Sequence, residues 1–231
     1  MSVLLEAQAV NAGYHGHPIV HDLDLEVRAG EVCVLLGPNG AGKTTTLLTL
    51  AGDLPALGGT VLFNGVPTKA PLHRRARRGL SFVTEERSVF MRLSVAENLA
   101  VGRVNRDRAL ALFPELRPLL RRRAGLLSGG EQQMLTLARA LSRSPKVLLI
   151  DELSLGLAPL VVQRLLEAVR IAAQETGVGV LLVEQHVRQA LKVGDQVLVM
   201  QRGQVVLRGK TEEVASRLMD VEAAYLSGHA E

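Results

Sequence analysis

The chain has 231 residues, 47% hydrophobic and 3% aromatic, with a formal net charge of +4. That length supports one substantial core. No apolar run approaches the roughly 20 residues that span a bilayer, and no charged-then-apolar leader opens the chain, so neither a membrane-embedded nor an exported protein is expected.

Cys33, the one cysteine, lies in an apolar run. It excludes an internal disulfide, as expected in a reducing cytoplasm. The positive charge is mostly arginine, as in Arg74, Arg75, Arg77 and Arg78, and again in Arg121, Arg122 and Arg123. Such clusters can meet nucleic acid or anionic headgroups. With so few aromatics to stack bases, solvated helix faces are expected and a nucleic-acid partner is not.

From Leu4 to about Gly65 short strands alternate with turns, and Gly58-Gly59 and Asn64-Gly65 punctuate a hairpin. Within this stretch Val32 to Leu36 is a short apolar run between Gly30 and Gly37, which predicts a buried strand. It opens onto Gly37-Pro38-Asn39-Gly40-Ala41-Gly42-Lys43-Thr44, which fits G-x-x-x-x-G-K-[ST]. The glycines let the loop fold around an anion with its N–H groups inward. Lys43 suits the outer phosphates of a nucleotide, and the Thr44 hydroxyl suits Mg²⁺. A helix expected over Thr44 to Ala51 adds partial positive charge beneath them. A glycine-rich turn with a solvated lysine is the bland alternative, and the strand–loop–helix context weighs against it.

Helical character is expected from about Glu86 to Pro145, broken at Pro114 and Pro118. Inside it lies Leu127-Ser128-Gly129-Gly130-Glu131-Gln132-Gln133, followed by Met134, Leu137, Ala138 and Leu141 at one-face helical spacing. Ser128 is a good N-cap and Glu131 completes a capping box. A capped helix does not explain the paired glycines, which cost stability relative to alanine. Close backbone approach to an anion would justify them.

Val147 to Ile150 reads as a second buried strand with Asp151 and Glu152 at its C-terminal end, where open α/β sheets place ligands. Asp151 suits Mg²⁺, and Glu152 suits polarising a water. Alone, the pair would be an ordinary loop start. A third strand, Val178 to Val183, leads to Glu184-Gln185-His186, and His186 is expected to reach the outermost phosphate. Gln196 to Gln201 and Gln204 to Gly209 flank Arg202-Gly203 as a hairpin, and a last helix covers Glu212 to Leu226. A nucleotide has one triphosphate, so two grips in one chain point to a second grip that serves a neighbour.

In their order, GPNGAGKTT, LSGGEQQ, VLLIDE and His186 resemble the ATP-binding subunit of ABC transporters over nearly the whole chain. The resemblance implies an α/β fold: a P-loop NTPase (RecA-like) core with an N-terminal antiparallel β subdomain and an inserted α-helical subdomain. Residues 1–231 would form one domain, with a core lobe of about 1–85 and 146–231 and a helical lobe of about 86–145. ATP and Mg²⁺ are the implied cofactors. Gly37, Pro38, Asn39, Gly40, Ala41, Gly42, Lys43, Thr44 and Thr45 would hold the nucleotide, with Ser128 and Gly130 reaching a neighbour's. Lys43, Glu152 and His186 would be catalytic, and Thr44, Asp151 and Glu85 would hold the metal. Tyr14 falls where an aromatic stacks on adenine, although a partly buried tyrosine of an antiparallel sheet reads equally well. Glu85 stands where the family has a glutamine that touches the metal and senses the membrane partner.

A narrower resemblance rests on VFMRLSVAENLAVG, ALFPEL, LSGGEQQML, SLGLAP, LLVEQH and AAYLSG. These are similar to the ATPases of branched-chain amino-acid uptake systems. That implies integral-membrane permease subunits, a second ATPase, identical or homologous, and indirectly a substrate-binding protein. It also implies a peripheral place on the cytoplasmic face of the inner membrane. Importers of urea, short amides or other amino acids use similar cassettes, and a soluble ABC ATPase is a further class. Phe90, Met91 and Leu93 would offer apolar contacts to a permease helix. Two positions depart from the wider pattern. Leu153 replaces a proline, which frees a backbone N–H and loosens the loop. Ala158 stands where many relatives have aspartate.

Overall fold

The computed structural model describes residues 1–86 and 88–216. The AAYLSG tail, the last helix beyond Ser216 and Arg87 lie outside the described residues.

Strands β1 (Val3–Tyr14) and β2 (His17–Arg28) pair antiparallel. With β4 (Gly58–Phe63) and β5 (Val66–Pro67) they form a sheet of order β2-β1-β4-β5. The sequence predicts short strands here, yet β1 and β2 each run 12 residues. Register shifts absorb the breaks in alternation, and Ala9 and Asp22 sit at positive φ. Both expected hairpin turns form. Asn64-Gly65 and Arg202-Gly203 have positive φ at both positions, as a two-residue turn between twisted strands requires.

The second sheet begins with β3 (Val32–Leu36). Its other members are β6 (Leu80–Val83), β7 (Val147–Asp151), β8 (Gly179–Glu184), β9 (Gln196–Gln201) and β10 (Gln204–Lys210). Their order is β10-β9-β3-β8-β7-β6, parallel except for β10. Every residue of β3, β7 and β8 is buried, which is why these segments read as unbroken apolar runs. Alternate residues serve two cores. Cys33, Leu35, Leu149 and Leu181 face one shared with β1, β2 and the helix α1 (Lys43–Ala51). Val34, Leu36, Leu148 and Leu182 face the other. Burial pushes the Cys33 thiol pKa up to about 12.

After α2 (Leu72–Arg77) and β6 the chain is helical, with α3 (Val95–Val101), α4 (Arg106–Leu112) and α5 (Gly129–Leu141). Tight three-residue-per-turn segments fall at Pro114–Leu119, which holds both expected proline breaks, and at Ala124–Leu126. The rest is α6 (Pro159–Thr176), α7 (Val187–Ala190) and α8 (Thr211–Ser216). No helix among the described residues is long and apolar enough to cross a membrane.

Most of the arginine-rich stretches lie on solvated faces, but Arg75 does not. It is buried and donates to the carbonyls of Leu50 at 2.6 Å and Ala70 at 2.7 Å. The guanidinium thus answers carbonyls at the end of α1, beside Gly52, whose left-handed φ of 83° terminates that helix.

Candidate nucleotide site at the sheet edge

Parallel pairing brings four strand ends to one edge. Leu36 pairs with Glu184, Asp151 with Val183, and Val83 with Ile150. The loop Gly37–Gly42, the turn after Asp151, the residue after Glu184 and Glu85 therefore meet. They line a cavity of about 500 Å³. Its floor is Asn39, Gly40, Gly42, Lys43, Thr44 and Thr45, and its walls are Ile19, Glu85, Glu152, Leu155 and Gln185. Glycine is required at two loop positions. A Cβ on Gly37 would stand 2.3 Å from the Met200 carbonyl, and Gly42 turns into α1 at φ 101°.

Lys43 is 5% exposed. Its ammonium donates to the carbonyls of Gly37 at 2.8 Å and Pro38 at 3.0 Å, and lies 3.8 Å from Glu152 Oε1. Burial lowers its pKa, opposed by the carboxylates of Glu152, Asp151 and Glu184. Glu152 has the left-handed φ of 48°, strained for a residue with a side chain. Its Oε1 accepts a hydrogen bond from Gln185 Nε2 at 2.6 Å.

Burial raises the Asp151 pKa to about 6; a hydrogen bond from the Thr44 hydroxyl opposes this, and the charges of Glu152 and Glu85 add to it. Asp151 Oδ1 is buried without a hydrogen-bond partner among the described residues. An orphaned carboxylate oxygen beside a hydroxyl, with further acids nearby, is the sparse hard-oxygen set that suits Mg²⁺ bound jointly with phosphates and water. The residues present fit that ion.

The remaining expected residues divide. Pro38 and Ala41 belong to the loop, and Ala41 N–H closes it onto the Pro38 carbonyl at 3.2 Å. Glu85 joins the cavity wall. Tyr14, 41% exposed at the end of β1, is not among the lining residues, whereas Ile19 is. Ser128 is the exposed N-cap of α5, and the capping box forms as expected, with Ser128 N–H on Glu131 Oε2 at 2.7 Å. Gly130 has a packing reason that the sequence hid: a Cβ there would stand 2.7 Å from Val161 Cγ1. His186 is exposed and is not among the lining residues. The sequence reading missed Gln185, Leu155 and Ile19.

The loop after Glu152 is held more firmly than loss of the proline implies. Leu153 is buried in the helical-side core, and the buried carboxylate of Glu184 accepts from Ser154 N–H at 3.1 Å and Ser154 Oγ at 2.6 Å. Ala158 is the N-cap of α6 and makes no side-chain cap bond; Pro159 begins the helix.

A strand–phosphate loop–helix unit on a parallel sheet, with an antiparallel sheet packed against one face, defines a P-loop NTPase. The family model described as "ABC transporter" matches residues 20–154. The chain is 40% identical to the high-affinity branched-chain amino acid transport ATP-binding protein BraG of Pseudomonas aeruginosa, over 97% of this chain and 100% of BraG. It is 37% identical to the lipopolysaccharide export system ATP-binding protein LptB of Escherichia coli (strain K12), over 91% of this chain and 92% of LptB. Its fold matches MJ1267, an ATP-binding cassette of an ABC transporter, with a TM-score of 0.88 at 23% identity and 100% coverage of both chains. The chain belongs to the ABC transporter family, as an ATP-binding, ATP-hydrolysing subunit.

Proposed function

We propose that this chain powers a membrane importer for branched-chain amino acids, as one of two cassettes that close over ATP. The observation that carries the site assignment is that Lys43, Thr44 and Glu152 line one cavity, with Asp151 behind it accepting from the Thr44 hydroxyl. The likeness to BraG over essentially the full length of both chains supports the cargo.

In this reading the loop from Gly37 to Thr45 wraps the phosphates, and Lys43 exchanges its own loop carbonyls for phosphate oxygens. Thr44 and Asp151 would hold Mg²⁺, which neutralises charge on the phosphates when bound. Glu85 tunes that corner through its charge. Glu152 accepts a proton from the attacking water. The Ser128–Gly130 helix end of a second ATPase, identical or homologous, would close the cavity. Ile19 offers an apolar face to the base, with Tyr14 nearby in sequence. His186 is left out of this machinery. Residues 1–231 act as one cassette whose helical lobe, about 86–145, meets the permease; Phe90 and Met91, both about half exposed, offer the apolar contact. The subunit then sits peripherally on the cytoplasmic face, fed indirectly by a substrate-binding protein.

The likeness to LptB favours one other reading, lipopolysaccharide export. Uptake of labelled leucine, isoleucine and valine by cells lacking the chain separates the two. Loss of uptake, restored by the parent chain and not by Glu152→Gln, is expected. Normal uptake with defective lipopolysaccharide delivery would reverse the assignment. For the site itself, Lys43→Ala is expected to lose at least about tenfold in ATP affinity, and an unchanged nucleotide titration would refute the phosphate loop.

A further inference from the structure

We propose that Gln185 is the positioning residue for the hydrolytic water and for Glu152, the role that the family resemblance gives His186. This rests on Glu152 as the water-polarising group.

Three observations converge. Gln185 lines the nucleotide cavity, and its Nε2 donates to Glu152 Oε1 at 2.6 Å. That contact leaves the amide oxygen to accept from a water. A neutral amide that donates and accepts at once suits holding a water in line with a phosphorus, and it undergoes no proton transfer itself.

The backbone explains why the next residue cannot share the task. His186 has φ −81° and ψ 83°, and Val187 N–H donates to the Gln185 carbonyl at 3.0 Å. This is the geometry of an inverse γ-turn. The turn carries the chain away from the sheet edge into α7, and the imidazole ends exposed.

Glu184 fixes the start of that turn. Its buried carboxylate is locked by the Ser154 N–H and hydroxyl. Because the last strand residue points into the core, the following side chain emerges on the side where Glu152 stands. The same lock joins the Gln185 backbone to the loop that carries Glu152. In the step, the water oxygen bonds to the γ-phosphorus as the bond to the β–γ bridging oxygen breaks. One water proton passes to Glu152 and then to the released phosphate. Gln185 sets the angle of approach and holds the Glu152 carboxylate at the water.

The test compares Gln185→Ala, Gln185→Glu, His186→Ala and Glu152→Gln in the full chain. Phosphate release is followed under saturating Mg²⁺–ATP, with KM and melting temperature alongside. Gln185→Ala is expected to lower kcat at least about tenfold, with KM changed less than about twofold. Gln185→Glu keeps the shape but removes the donor and repels Glu152, so it should fall as far. It also carries the test if the alanine variant does not fold. His186→Ala should lose less than about threefold, since it removes no group at the cavity. Parent-like turnover by Gln185→Glu would reduce Gln185 to packing and overturn the proposal. So would a dead His186→Ala beside an active Gln185→Ala. Parent-rate hydrolysis by Glu152→Gln would instead remove the assignment of the base, a separate failure.

Discussion

Two buried carboxylates end neighbouring parallel strands, and they differ in what answers them. Glu184 closes β8 and is satisfied within the chain by the N–H and hydroxyl of Ser154. Asp151 closes β7 with Oδ1 unpaired among the described residues. Burial raises both pKa values. A buried acid that the fold satisfies serves the fold, whereas one left with an orphaned oxygen is held ready for something the chain does not supply. The pair separates architecture from chemistry along one sheet edge.

Removing the charge at each position sharpens this contrast. Asp151→Asn is expected to lower phosphate release at least about 100-fold if, as proposed, this carboxylate holds Mg²⁺. Its urea stability without nucleotide should match or exceed the parent's, because the asparagine oxygen can still accept from the Thr44 hydroxyl and a buried charge is removed. A clear loss of stability would mean that the Asp151 charge itself holds the fold, through Lys43 or Thr44.

Glu184→Ala should show the reverse weighting. It leaves two donors of Ser154 unanswered, for a loss of about 2 kcal/mol in urea unfolding. The pH dependence is signed. Burial raises the folded-state pKa of Glu184 above the ordinary 4.5. The folded chain therefore holds this proton where the unfolded chain has released it. The resulting stability is full below pH 4.5 and is lost as pH rises through the raised value. Glu184→Gln removes that decline, so its stability relative to the parent should rise as pH increases above 4.5. A parallel pair of pH curves would contradict the burial argument.

The smallest effect concerns α5. Gly130→Ala drives a methyl into Val161 and should cost about 1–2 kcal/mol. Pairing it with Val161→Ala should restore part of that. No recovery would show that Gly130 owes its identity to something other than this contact.

Much of the edge was legible beforehand, for reasons specific to its residues. β3, β7 and β8 are doubly covered, so they appear as apolar runs, and the phosphate loop has a rigid spacing. The Ser128–Glu131 cap is local, and a local rule found it. Gln185 was not legible, because its importance depends on which side of a strand end it leaves from. His186 was expected from its place after the strand and from the family resemblance, whereas the end of β8 at Glu184 puts Gln185 among the lining residues. The packing of Gly130 was not legible, because its neighbour, Val161, is distant in sequence. The length of β1 and β2 was hidden by bulges that mimic turns.

Cys33 offers a practical consequence. A thiol whose pKa is pushed up to about 12, on a residue only 2% exposed, is almost wholly protonated and shielded. Maleimides and disulfide reagents should ignore it until the central sheet opens. Since it is the sole sulfhydryl in the sequence, its labelling rate would time global opening of this cassette, with no engineered tag.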